Sequence, residues 1–199
     1  MIRQLLRRKM HIGVLTVFLS TLVGCSAQPV VINHYMLNVA SINASISPSQ
    51  NAPLLSIERV HLPDHLEQRS LVMQQQNGTL SIATKHVWAQ PLNVDIGGLL
   101  SAEITRLKNY NAFYGPAMSR HTENIAAISI YVEHFMPVAS GEVILSGYWL
   151  ERHRETLRSP QRFSYSASLN ADGYAASVAQ MRRLITQLAA DINATIQKE

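Results

Sequence analysis

The chain has 199 residues, of which 47% are hydrophobic, a formal net charge of +4 and one cysteine. A lone cysteine excludes an intramolecular disulfide and a thiolate metal cluster. The length suits a single domain with a core of its own.

The N-terminus carries Arg3, Arg7, Arg8 and Lys9 with no acid, then the apolar run IGVLTVFLSTLV over residues 12–23. This is the order of a signal peptide, and the run is shorter than the about 20 apolar residues of a membrane span. It ends in Leu22-Val23-Gly24-Cys25, which matches the bacterial lipobox. There the small residue admits the cleavage enzyme and the thiol is the nucleophile that takes the lipid. The expected organisation is a lipoprotein signal peptide at 1–24, a lipidated tether at 25–33 and a single α+β domain at 34–199. Cys25 is the lipid-attachment residue, carrying diacylglycerol and an N-acyl (palmitate) chain; no other cofactor is expected. Ser26, where Asp commonly favours retention on the inner membrane, points to the outer membrane, with the domain on its periplasmic face. Four of the 17 Lys and Arg leave with the signal, so the remaining body balances its 13 Asp and Glu. A basic pull towards nucleic acid is therefore missing.

Residues 34–37 read as a short first strand, followed by a loop rich in Ser, Asn and Pro. Residues 54–63 form the next strand, apolar at Leu55 and Ile57 and then at Val60 and Leu62. That change of parity predicts a bulge or a two-sided strand. Asn77-Gly78 between extended segments 70–76 and 79–83 is a strong hairpin signal. Pro91 fits the first turn of a helix whose stripe is Leu92, Ile96, Leu99, Leu100, Ile104 and Leu107. Gly97-Gly98 inside it costs about 1 kcal/mol each relative to Ala, and close packing against a neighbour is the expected reason.

Further on, Ile128, Ile130 and Val132 alternate with Tyr131, Glu133 and Phe135. Residues 142–151 form a strand with Val143, Leu145 and Trp149 on one side. A charged tip separates it from a partner containing Phe163, Tyr165 and Ala167. Residues 173–196 make a long amphipathic helix with Val178, Met181, Ile185, Leu188, Ile192 and Ile196 on one stripe. Two such helices over one face of a largely antiparallel sheet give a two-layer α+β sandwich.

Chemistry is sparse. His61 and His65 lie four apart but straddle Pro63, which keeps them off a shared helical face. No HExxH, GxSxG, P-loop or GxGxxG is present. No metal site and no catalytic residue is predicted, and Trp88 and Trp149 are expected in the core.

The Tyr35-x-Leu37 strand after the lipid cysteine, IERVHLPDHLEQRSLV, VWAQPLNVDIGGLL, ISIYVEHFMPVASGEVILSGYWL and YAASVAQMRRLITQLAADI together resemble the PqiC/YmbA lipoproteins, auxiliary lipoproteins of ABC-type and MCE-type transport systems. The resemblance spans nearly the whole mature chain. It implies a non-enzymatic, outer-membrane-anchored periplasmic lipoprotein of an MCE-type intermembrane lipid transport system, one that supports envelope integrity. The implied partners are an MCE-domain tunnel protein and, through it, an inner-membrane protein, with a homo-oligomeric ring as the matching assembly. Edge strands or the segment FMPVA, residues 135–139, expected to be an apolar loop, are the candidate contact surfaces, with Phe135 and Val138 as candidate partner contacts. The alternative is a structural lipoprotein that assists assembly of an outer-membrane or secretion complex.

Overall fold

Along the chain run β1 (Asn33–Tyr35), β2 (Leu54–His61), a 3-10 turn (Asp64–Leu66), β3 (Ser70–Gln74), β4 (Leu80–Trp88), α1 (Leu92–Arg106), β5 (Asn111–Tyr114), β6 (Ala126–Val138), β7 (Glu142–His153), β8 (Thr156–Leu157), β9 (Gln161–Ser168) and α2 (Tyr174–Ile196). This is a computed structural model, and it describes residues 29–38, 48–115, 125–153 and 156–196.

Among the described residues nine strands form one sheet, built around β6. On one side β7 pairs with it antiparallel from Ala127 to Val138, and β9 then pairs antiparallel with β7. On the other side two strands share its length end to end, both parallel to it. These are β2 along residues 126–131 and β3 at Val138. Beyond β2 lies β5, parallel. Beyond β3 lies β4, antiparallel, and then β1, parallel to β4. The class is α+β with a mixed sheet. Its antiparallel rungs come from neighbours in sequence, which turn signals announce; its parallel rungs join distant segments, which leave no such signal.

The hairpin expected at Asn77-Gly78 joins β3 to β4. Gly78 takes a φ of 82°, a left-handed value that glycine adopts without a Cβ penalty. The Thr79 amide donates to the Asn77 side chain at 3.1 Å. Pro91 stands one residue before α1, at its N-cap, where a missing N–H costs nothing. A Cβ on Gly97 would collide with the Tyr114 ring. The close approach expected for this glycine is therefore the approach of β5.

α1 packs on α2 and against β2 and β5, while α2 covers β7 and β9 and reaches β6. Leu55, Ile57, Val60, Ile128, Ile130, Leu145 and Trp149 from the sheet form one core with Ile96, Leu100, Ile104, Leu184, Ile185 and Leu188 from the helices. Each fully buried Leu or Ile contributes about 1.5–3 kcal/mol. Trp88 and Trp149 are both core residues, as expected.

Two bulges decide which side chains enter that core. The first lies between Ile57 and Arg59, where the parity change in β2 predicts it. The second lies between Val132 and His134, and it corrects the expectation for Phe135. Unbroken alternation puts Phe135 on the face opposite Val132; the extra residue reverses the parity and turns the ring inward. Phe135 is 1% exposed. The segment holding it is the end of β6 rather than an apolar loop.

Candidate functional site

Cys25 and residues 26–28 lie outside the described residues. What the structure describes is how the chain that follows Cys25 is fastened to the domain. β1 sets Asn33, His34 and Tyr35 opposite His86, Val87 and Trp88. The Tyr35 hydroxyl and His86 Nδ1 share a hydrogen bond of 2.8 Å. The His86 ring stacks on Tyr174, the first residue of α2, with centroids 4.0 Å apart.

The next residues are held from both helices. Leu37 is fully buried. Its amide donates to Asp95 Oδ2 at 2.6 Å, and the Asn38 amide donates to Oδ1 at 3.1 Å. Gln90 Nε2 adds a third donor to the same carboxylate at 2.9 Å. Arg182 Nε on α2 donates to the Leu37 carbonyl at 2.7 Å, and its guanidinium also reaches the Met36 carbonyl at 3.2 Å. Asp95 is itself fully buried in the first turn of α1. Three N–H donors and the positive end of the helix compensate its desolvation. The sequence carries one sign of this role. Asp95 falls on the apolar stripe between Leu92 and Leu99, where a carboxylate needs partners. Arg182 reads from sequence as an ordinary polar-face residue, and its backbone contacts have no local signal.

Among the described residues no group of three or more His, Cys, Asp or Glu is placed to hold a metal ion. His61 instead stacks on Tyr131, at 4.2 Å between centroids, and Tyr131 stacks on Tyr148 at 4.8 Å. Burial, and then the Arg59 charge, push the His61 pKa below its ordinary value. The Tyr165 hydroxyl donates to Asp191 at 2.6 Å. Burial, and then that bond to a carboxylate, raise its pKa. Neither arrangement joins a nucleophile to a base. A pocket bounded by Trp88, Leu92, Phe135 and Met181 has a volume of about 10 Å³, room for one water and too little for an acyl chain. Of the two candidate contact residues, Phe135 lines this pocket from the core. Val138 is half-buried at the end of β6. No helix among the described residues is long and apolar enough to cross a membrane.

Residues 35–193 match the family of ABC-type transport auxiliary lipoprotein components. The chain is 29% identical over 179 residues to the intermembrane transport lipoprotein PqiC of Escherichia coli K12, covering 89% of this chain and 92% of that one. The same figures hold for PqiC of Shigella flexneri. In fold it is similar to a crystal structure of an uncharacterized protein, with a TM-score of 0.71 and 23% identity over 83% of this chain and 99% of the other. A protein from Xanthomonas campestris has a TM-score of 0.59 and 13% identity over 82% and 90% of the two chains. These two likenesses concern the fold alone. The family match begins at Tyr35, in the strand that fastens the tether, and runs through nearly all of α2. The chain belongs to the PqiC/YmbA family of ABC-type transport auxiliary lipoproteins.

Proposed function

We propose that this chain is the outer-membrane-anchored lipoprotein of an MCE-type intermembrane lipid transport system. Its part is to dock the periplasm-spanning tunnel at the outer membrane, and so to support envelope integrity. The observation that carries the reading is the match over residues 35–193, together with relatives named as intermembrane transport lipoproteins. The lipobox at residues 22–25 supports the anchor at Cys25, and Ser26 supports the outer membrane as its destination.

The physical role follows from the parts. Asn33 lies eight positions after Cys25, a reach of about 28 Å at about 3.5 Å per residue. Two or more acyl chains hold such a tether on a bilayer stably. The domain is a packed body with one core shared by sheet and helices, which suits holding a tunnel in place. The partners are an MCE-domain tunnel protein and, through it, an inner-membrane protein, with a homo-oligomeric ring as the arrangement that matches a tunnel's symmetry. Val138 is the remaining candidate contact.

The test is purification of the lipidated protein from membranes in mild detergent, with a Cys25→Ala form as control. A stoichiometric MCE protein in the wild-type sample, lost with Cys25→Ala, is the expected result. Recovery of secretion or outer-membrane assembly components instead would replace this reading with a structural role in assembling such a complex.

A further inference from the structure

β1 runs parallel to β4, so the chain arrives at Asn33 from the end of the sheet where β4 begins. That end carries the β3–β4 hairpin. β1 covers β4 only at residues 86–88. Among the described residues, the same edge of β4 has no strand partner from Leu80 to Lys85. Leu80 and Ile82 share one face of the strand and are 40% and 52% exposed. Ile32 and Met36, on either side of β1, are 50% and 41% exposed.

The charges of this lobe are one-sided. The first carboxylate after Cys25 is Glu58, and no Asp or Glu occurs from Gln68 to Val94, a stretch that holds Arg69 and Lys85. Glu142, opposite Val138 on the far side of β6, bounds the region. The lengths also agree. Leu80 lies six residues before the rung at His86, about 20 Å at about 3.3 Å per residue. The tether from Cys25 to Asn33 spans at most about 28 Å. A bilayer holding the acyl chains of Cys25 is therefore within reach of the hairpin.

We propose that the β3–β4 hairpin edge, with Leu80 and Ile82 leading and Lys85 behind, rests on the lipid bilayer that holds the anchor. This rests on the lipid attachment at Cys25. The occupant is a membrane surface because a short tether, exposed aliphatic side chains and a β3–β4 hairpin without carboxylates coincide along one edge of the sheet, with Glu142 and Asp172 the acids nearest to it. Those features suit the headgroup–acyl boundary of an anionic bilayer.

Lipidation of Cys25 leaves the full chain without a free thiol, so Ile82→Cys introduces a unique labelling site, and Ala190→Cys on the exposed side of α2 provides the control. Each lipidated protein, carrying an environment-sensitive fluorophore, is reconstituted in vesicles of phosphatidylethanolamine and phosphatidylglycerol that contain a shallow lipid-borne quencher. The expected result is quenching several-fold stronger at position 82 than at 190, reduced when Leu80→Asp is added. Equal, water-like emission at both positions, with mass spectrometry showing lipid on Cys25, overturns this surface alone. Shielding at 82 that depends on protein concentration, with crosslinks between copies, assigns the edge to a second copy and also overturns it. An unmodified Cys25 overturns both this surface and the anchoring reading.

Discussion

Asp95 is the residue on which the attachment of β1 depends. Asp95→Ala leaves the Leu37 and Asn38 amides without their acceptor, a loss of about 3 kcal/mol. The expected signature is faster amide hydrogen exchange at Leu37 than at Ile130, which stays protected in the core. Gly97 and Gly98 are neighbours with opposite expectations. Gly97→Ala drives a methyl into the Tyr114 ring, and the overpacking outweighs the better helix propensity by about 1–2 kcal/mol. Gly98→Ala meets only the Asn38 side chain at 3.3 Å, which can rotate aside, so it stabilises by up to about 1 kcal/mol. Urea titrations of the two variants should move in opposite directions. The glycine pair is legible in sequence as a close contact, but which of the two makes it depends on where β5 lies.

Two titrations belong to this scale as well. The folded His61 binds its proton less readily than the unfolded chain, whose ordinary value is 6.5. Its contribution is therefore complete above 6.5 and is lost as the pH falls below it. For Tyr165 the folded value is raised above the ordinary 10.0. Its contribution is complete below pH 10 and is lost as the unfolded chain ionises above it. Tyr165→Phe should reduce the alkaline loss, to which the raised Tyr110 and Tyr114 also contribute, and His61→Phe should reduce the acidic one, in urea midpoints measured across pH.

Among the elements, α1 ends in a way that invites improvement. Lys108, just past its C-cap, has a φ of 64°, a left-handed position that helices usually give to glycine. Lys108→Gly should stabilise by about 1 kcal/mol, seen as a rise in Tm. The elements were largely readable from sequence: the Asn77-Gly78 hairpin, both helices and the bulge in β2 each have a local cause in their residues. The bulge in β6 was not. Neither Glu133 nor His134 is a glycine or proline, and the later apolar residues Phe135 and Val138 do not by themselves fix a parity, so only the register demanded by β7 locates the insertion. Phe135 moved from surface to core on that account. The parallel rungs of β2 and β3 on β6 were equally hidden, since their partners lie more than 60 residues away in sequence.

At the scale of the molecule, the sequence carries the lipobox motif and the domain, while the way residues 33–38 are fastened comes only from the fold. Leu37 receives a carboxylate from α1 on its amide and a guanidinium from α2 on its carbonyl. The joint has a mechanical consequence. Under the proposed anchoring, tension drawn through the segment before β1 enters the body at Asn33. If it acts along β1, it loads the three rungs to β4 in shear, together rather than one after another. Behind them stand Leu37 and two helices that share its peptide units, so the load passes into the helical layer and the common core. Detaching the tether then requires breaking the bonds of Leu37 to Asp95 and Arg182 as well as the three rungs of β1, so both helices resist it at once.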